Sequence, residues 1–371
     1  MKKFLACLLA TAAALLSAAD YELILLGDLH FDSPEYRTGA TLQPFQKRET
    51  ARNTGIWKKN VPAELKAAGS KVSPETKYVI QLGDVIQGDS ASDAEHVKML
   101  HDVLAVIHPY FGTVPLLFAK GNHDVRSLDL TTGRVAAYDS FMLPYLKEQL
   151  KLDKAPEDLN YAVRHGGDLL LFFDSVHPDL SRTEALIAQN AGFKRLLVFT
   201  HIPILPCPGP GVTFQHTPGG VGLAPGNRRK LLELLAKNNA YIFCGHTHAP
   251  AIVEWESDLG RIVQLTCSSM AGSEGAPGFK LRAAGKAALE EALPEEQFPG
   301  FRKEYAEPAR FFELFPGWGF VVLRLSDDAV VADLYSGDGG KPEKTVVLSK
   351  PMPEKIVTEP ETPKKPKKDA N

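Results

Sequence analysis

The sequence predicts an α/β fold, and three observations carry that prediction. Short apolar runs recur along the chain, near-continuous rather than alternating, as in strands buried on both faces. Each run stops abruptly at a glycine or polar residue, and the stretches between runs leave room for covering helices. In such sheets ligands bind beyond the carboxyl ends of the strands. Chemistry-bearing residues released at several strand ends therefore point to one shared site.

Taken in order, YELILL (21–26) stops at GDLH, KYVIQL (77–82) at GDVIQGD, and TVPLLFA (113–119) at KGNHD. RLLVF (195–199) stops at THIP, and YIFC (241–244) at GHTH. DLLLFFD (168–174) stops at SVHP and matches this chemistry less closely. Helices are expected over residues 91–108 and 227–238. RIVQLTCSS (261–269), GFVVLRLS (319–326) and AVVADLYS (329–336) read as antiparallel strands closing a second sheet. Between the first two, a stretch rich in Lys, Glu and Ala over about 280–315 reads as helical. Residues 205–226 form a long Gly/Pro loop between two of the chemical motifs, a length often found in functional lids.

The ends of the chain read differently. Lys2 and Lys3 precede an apolar stretch from Phe4 to Leu16 and then Ser17-Ala18-Ala19, the pattern of a secretory signal over residues 1–19. The small residues at the −3 and −1 positions place the expected cleavage after Ala19, and a transmembrane anchor is disfavoured because the apolar run is short of the roughly 20 residues that span a bilayer. This predicts a secreted or periplasmic protein with its folded body over residues 20–349. Residues 350–371, rich in Pro, Lys and Glu, read as a disordered tail. The net charge of −3 shows no basic excess to suggest nucleic acid. Beyond the leader only Cys207, Cys244 and Cys267 remain, an odd number that argues against a disulfide framework while leaving a single bridge open.

The polar residues at the strand ends are Asp28, His30, Asp84, Asn122, His123, His201, His246 and His248. In extended chain, residues two apart point to one side and sit about 6.5 Å apart. Asp28 with His30, and His246 with His248, are therefore spaced to reach two different metals. Two metals roughly 3.5–4 Å apart form a clamp for phosphoryl chemistry, and Asp84 is the natural bridging carboxylate. Two divalent ions, two aspartates and one hydroxide leave a net positive site suited to an anionic phosphate. Imidazole and carboxylate without thiolate favour Mn, Fe, Zn or Ni over Ca or Mg.

The series GDLH, GDVIQGD, GNHD, TH and GHTH resembles the calcineurin-like metallophosphoesterase family in motif content and order, over about residues 20–340. The resemblance implies two packed mixed β-sheets flanked by α-helices in four layers. It implies that Asp28, His30, Asp84 and His248 hold one metal, and that Asp84, Asn122, His201 and His246 hold the other. It implies that His123 is no ligand but acts near the leaving-group oxygen, as general acid or by steadying the transition state. The implied function is hydrolysis of phosphomonoesters or phosphodiesters, in small molecules or polymers, by water acidified on two divalent ions, with Mn or Fe favoured. A catalytically silent metal-binding scaffold that grips a protein partner is the alternative; members of that kind tend to lose the histidine of GNH, which is present here as His123.

Other residues carry weaker expectations. Arg126 is a candidate ligand for a phosphate oxygen, with solvent exposure as the alternative. His216, in the Gly/Pro loop, is a candidate substrate contact. Asp89 or Asp124 is placed to orient His123, and Asp89 equally suits a turn or a helix cap. The segment from Arg37 to Lys59, with Trp57, reads as a helical face or as one wall of the cleft. His96, His101, His108, His165 and His177 read as surface or packing residues.

Overall fold

A computed structural model describes residues 20–207, 225–270, 282–291, 293, 295–296, 299–337 and 339–352. The predicted leader, most of the 205–226 loop with His216, and the tail from residue 353 lie outside the described residues. In chain order the strands are β1 (Tyr21–Leu26), β2 (Thr76–Gln81), β3 (Leu116–Phe118), β4 (Tyr161–His165), β5 (Asp168–Phe172), β6 (Arg195–Phe199) and β7 (Tyr241–Cys244). They continue as β8 (Ala251–Ser257), β9 (Gly260–Thr266), β10 (Ala283–Ala284), β11 (Ala309–Leu314), β12 (Gly319–Leu325), β13 (Val330–Ser336) and β14 (Lys344–Val347). The helices are α1 (Pro44–Lys59), α2 (Val61–Gly69), α3 (Asp93–Phe111), α4 (Val135–Gln149), α5 (Leu180–Gln189), α6 (Pro225–Lys237) and α7 (Lys286–Glu291).

Two mixed sheets result, a six-stranded one ordered β14-β13-β12-β1-β2-β3 and an eight-stranded one ordered β10-β11-β8-β9-β7-β6-β5-β4. Their side chains divide by alternation, as a pleated strand requires. Leu170, Phe172, Leu197, Phe199 and Phe243 join the core shared with β1 and β2. Their neighbours Leu169, Leu171, Leu196, Val198 and Ile242 pack on the opposite face with Leu186 of α5 and Leu231 and Leu235 of α6. Across the inner face Tyr161, Phe172, Phe199 and Phe243 stack in a row, with successive ring centroids 4.2, 5.2 and 5.4 Å apart. Helices α1 to α4 cover the outer face of the six-stranded sheet, completing four layers. Their best-defined start is α3, where Ser92 caps the helix by accepting from the Glu95 N–H at 3.2 Å, and Met99, Leu100, Val103 and Ile107 form the buried stripe.

Two expectations are corrected. Residues 260–266 do not share a sheet with 319–325 and 330–336: β9 lies parallel to β7 in the larger sheet, whereas β12 and β13 extend β1 in the smaller one. Apolar patterning shows that a strand is buried, and all three are; it carries no information about which neighbour it meets. Among its described residues the 280–315 stretch is only briefly helical, at α7 and a π-turn over Arg302–Ala306, and it runs into β11. Phe311, Phe312 and Leu314 need sheet burial there, and β11 supplies it by pairing with β8.

β1, β2 and β3 run parallel, as do β5, β6 and β7. The carboxyl ends within each set therefore lie on one edge. Backbone bonds join the residues beyond them: Leu29 N–H donates to the Asp84 carbonyl at 3.0 Å, Gly245 N–H to the His201 carbonyl at 3.0 Å, and Met270 N–H to the Asp28 carbonyl at 3.0 Å. Cys207, Cys244 and Cys267 are buried and unbridged. Burial raises all three thiols above their usual range, Cys207 to about 11, so they are packing residues rather than nucleophiles. No helix among the described residues is long and apolar enough to cross a membrane.

Candidate metal centre

Past the last residues of β1, β2, β3, β6 and β7 lie the turns that carry the candidate side chains. His30, Asp84, His246 and His248 all have φ between 45° and 71°, in the left-handed region that residues other than glycine seldom adopt. Such conformations gather where a site holds its groups against local preference. Close approach does the rest. A Cβ on Gly245 would lie 2.4 Å from Asp28 Oδ1, and one on Gly121 would lie 2.2 Å from Asp84 Oδ1, so both turns need glycine for the carboxylates to fit.

The structure gathers the predicted side chains into two sets; His246 and His248 fall in different sets, as their spacing suggests, whereas Asp28 and His30 share one, because the chain turns at His30 (φ 45°) instead of running extended. In the first, His248 Nε2 lies 3.0 Å from Asp28 Oδ2 and 3.0 Å from His30 Nε2. In the second, His201 Nε2 lies 3.2 Å from Asp84 Oδ2, 3.1 Å from Asn122 Oδ1 and 3.0 Å from His246 Nδ1. Asp84 Oδ2 also lies 3.8 Å from His30 Nε2, which puts that oxygen between the sets. The centre opens to solvent at His248, whose side chain is 31% exposed, while the Asp28 side chain is fully buried.

The proton count shows what such an arrangement lacks. His201 Nδ1 faces the Leu82 carbonyl at 2.9 Å and must donate to it, which leaves a bare Nε2 pointing at a carboxylate, an amide oxygen and another ring nitrogen. Only a proton or a cation satisfies that convergence. Without a cation His201 takes the proton: burial opposes its charge, but Asp84 and Asp28 more than offset burial and push its pKa up to about 9. At Asp28, burial alone would raise the carboxyl, yet His248, His201 and His30 hold it well below the usual carboxylate range. Burial, with His123 alongside, holds His30 far below the ordinary imidazole range and so keeps it neutral. Neutral imidazoles and ionised carboxylates are the donor set for divalent transition metals. The Leu82 carbonyl on His201 is the kind of outer support that fixes a ligand's tautomer.

The surroundings revise the weaker expectations. Asp124 does not orient His123. Its carboxylate accepts from the backbone N–H groups of Asp84 (2.9 Å), Ile86 (3.2 Å) and Gly121 (2.8 Å), tying the turns after β2 and β3 together. Burial, and then Asp84 nearby, push its pKa up to about 7. Asp89 does not touch His123 either; it grips Arg126 with two bonds of 2.7 and 2.8 Å. Arg126 is thus paired rather than solvated, and its Nη1 reaches His123 Nε2 at 3.2 Å. His123 itself sits beside His30, with ring centroids 4.7 Å apart and edge to face. Trp57 is buried in α1 and donates to the Leu29 carbonyl at 2.6 Å, so the 37–59 segment braces the first turn from behind. His96 is a packing residue, bonded to Ser90 Oγ at 3.0 Å and the Asp124 carbonyl at 2.8 Å. Sequence reasoning missed the Gln87 carbonyl, which meets His123 Nδ1 at 3.1 Å; a backbone oxygen leaves no mark in residue type.

Comparison with known proteins gives the family and the fold. A family model described as calcineurin-like phosphoesterase matches residues 21–250. Among solved structures, the fold is similar to purple acid phosphatase PPD1 from yellow lupin (Lupinus luteus) seeds, with a TM-score of 0.55 at 12% identity. That match covers 89% of this chain and 54% of the lupin chain, so this chain spans about half the lupin protein's length. A structure of PhoD is similar at a TM-score of 0.53 and 10% identity, covering 89% of this chain and 68% of that one. None of the curated proteins matches. With the matched span taking in every strand-end motif from Asp28 to His248, the chain belongs to the calcineurin-like phosphoesterase family.

Proposed function

We propose that the protein hydrolyses phosphomonoesters or phosphodiesters outside the cytoplasm, using two divalent cations. The observation that carries this reading is the placement of Asp84 Oδ2 between His30 (3.8 Å) and His201 (3.2 Å), one member of each ligand set. Asp28, His30, Asp84 and His248 would hold one cation, and Asp84, Asn122, His201 and His246 the other. The donor set favours Mn or Fe and also suits Zn or Ni. Cations bound there supply an acidified water as nucleophile and positive charge for the phosphoryl oxygens.

The chain's own groups prepare the rest. The His246 N–H donates to Asp28 Oδ1 at 3.0 Å, and the His123 N–H to Asp84 Oδ1 at 2.8 Å, so both carboxylates are oriented before any cation arrives. His123 and Arg126 adjoin the centre together, His123 with its ring centroid 4.7 Å from that of His30 and Arg126 with its Nη1 3.2 Å from His123 Nε2. The predicted leader supports a location in the periplasm or beyond the cell, where extracellular nucleotides, phospholipid headgroups or wall phosphodiesters are substrates of the right chemistry.

The test strips the protein of metal, reloads it with manganese, and compares an aryl phosphodiester with the matching aryl monoester. Manganese-dependent cleavage of either, lost in Asp84→Asn, is the expected result. Two bound equivalents of manganese with no cleavage of any phosphoester would sink the reading in favour of the silent scaffold.

A further inference from the structure

The strand-end motif that matched the site chemistry least is the one after β5, and it supplies no member of either ligand set. It holds two of them in place. Asp174 is buried, and its Oδ1 accepts from the Val176 N–H at 3.0 Å and the His177 N–H at 2.9 Å, which shapes its own turn. Its Oδ2 meets Lys120 Nζ, and Asp139 Oδ1 lies 3.8 Å from the same ammonium. Lys120 is buried too, at 3% exposure, and stands two residues before Asn122. The next residue of the β5 turn, Ser175, accepts through Oγ from the Ile202 N–H at 2.9 Å, directly after His201. One short segment thus grips the turns that carry Asn122 and His201, both of the second set.

These two turns belong to different sheets. Asp84 and Asn122 follow β2 and β3 of the six-stranded sheet, whereas His201 and His246 follow β6 and β7 of the eight-stranded one. The second set therefore spans the gap between the sheets, and its internal distances depend on that gap. β3 is poorly placed to set the gap alone: it is three residues long, at the edge of its sheet, and paired with β2 on one side only. The opposite sheet holds it, through the Tyr161 hydroxyl on the Phe118 carbonyl at 3.0 Å and through the Asp174–Lys120 ion pair. The first set is tied separately. Its Asp28 carbonyl accepts from the Met270 N–H at 3.0 Å and from Ser269 Oγ at 2.8 Å, in the segment after β9 of the eight-stranded sheet. Removing two charges from water offsets much of their attraction, so stability alone is a weak reason for a buried ion pair here.

Resting on the two-cation reading above, we propose that Asp174, Lys120 and Ser175 are positioning residues that set the separation of the two sheets at the second cation. They lie outside both ligand sets and act through Asn122 and His201. Breaking this clamp lengthens the reach from Asn122 Oδ1 to His201 Nε2, which is 3.1 Å, and leaves the Asp28–His248 contact of 3.0 Å as it is. The two cations are then held unequally. The first stays bound without the clamp, and the second is weakened by about 10–100-fold, the usual effect of disturbing a ligand's support.

The test variant combines Lys120→Met with Asp174→Asn in the full chain. Both charges go together, so neither is left buried and unpaired, and the asparagine keeps Oδ1 for the two backbone N–H groups. The control combines Arg195→Met with Asp168→Asn, which removes an ion pair of 2.6 Å at the amino ends of the same strands, β5 and β6. Manganese titration of the metal-free proteins is expected to give two equivalents for the unmodified chain and for the control. In the test variant one equivalent binds as before and the other about 10–100-fold more weakly, and the spin-coupled signal of a manganese pair gives way to that of isolated ions. Two equivalents bound as before, an equal loss at both, or the same loss in the control overturns the proposal. Amide hydrogen exchange of the metal-free proteins reads the clamp without any cation. Peptides covering 119–125 and 199–204 are expected to lose protection in the test variant, and those covering 26–30 and 245–249 to keep it; a uniform change, or none, overturns the proposal as well. An unmodified chain that binds two manganese ions and cleaves no phosphoester fails the hydrolase reading instead, and the titration and exchange still decide the clamp.

Discussion

Substituting Gly121 by alanine adds one methyl group at the most crowded turn of the centre. The new Cβ would lie 2.1 Å from Asp84 N and 2.2 Å from Asp84 Oδ1. An ordinary contact needs about 3.4 Å or more, so something must move by roughly 1 Å. Neither neighbour is free to move. Asp84 N is bonded to Asp124 Oδ2 at 2.9 Å, and Asp84 Oδ1 accepts from the His123 N–H at 2.8 Å. Overpacking of this kind costs about 1–3 kcal/mol of stability. A displacement near 1 Å at a reacting centre lowers the rate by about 10²-fold, and a disturbed ligand support lowers metal affinity by about 10–100-fold. The assay measures retained metal after dialysis, turnover of an aryl phosphoester, and the urea midpoint, with Gly55→Ala in α1 as the control. Nothing lies within 4 Å of a Cβ at Gly55, so that variant is expected to keep its metal and gain up to about 1 kcal/mol from helix propensity. If Gly121→Ala keeps full metal and full turnover, the idea that the glycine makes room for Asp84 is wrong.

Two further outcomes follow from the same structure. Asp84→Asn removes the shared carboxylate charge; bound manganese should fall below two equivalents with near-complete loss of turnover, whereas two retained equivalents with normal turnover would remove Asp84 from its bridging place. Glu64, 1% exposed, has no partner for either oxygen, and burial pushes its pKa from 4.5 up to about 10. The folded state thus holds a proton that the unfolded chain releases, so the stability this group contributes is complete below pH 4.5 and is lost as pH rises toward 10. Glu64→Gln should therefore be the more stable form at neutral pH, by up to about 3 kcal/mol at pH 7; equal urea midpoints for the two proteins at both pH 5 and pH 8 would refute it.

Most of the centre was legible because its residues follow strand ends, where an apolar run and its terminating motif are contiguous in sequence. Asp28, His30, Asp84, Asn122, His201, His246 and His248 all follow strand ends in this way, and the structure brings them together. What escaped was whatever depends on pairing across distance. The Asp89–Arg126 bond joins residues 37 positions apart, and neither residue type alone announces the other. The His123 contact with the Gln87 carbonyl is backbone chemistry and has no residue signature. The sheet membership of β9 follows the same rule. Its burial is written in RIVQLT, but its neighbour is fixed by how YIFC docks, through Val263 opposite Tyr241 and Leu265 opposite Phe243.

The position of β1 bears on how the chain is made. Leu23 pairs with Tyr78 on one side and with Leu323 on the other, three hundred residues further along. A growing chain therefore carries its first strand half-satisfied until almost all of it has been synthesised. Until β12 arrives, that strand keeps an open apolar edge of the kind that invites mispairing. Asp28 and His30 likewise wait for His246 and His248, more than two hundred residues further along. A partial chain that stops short of His248 cannot bring the two residue sets together.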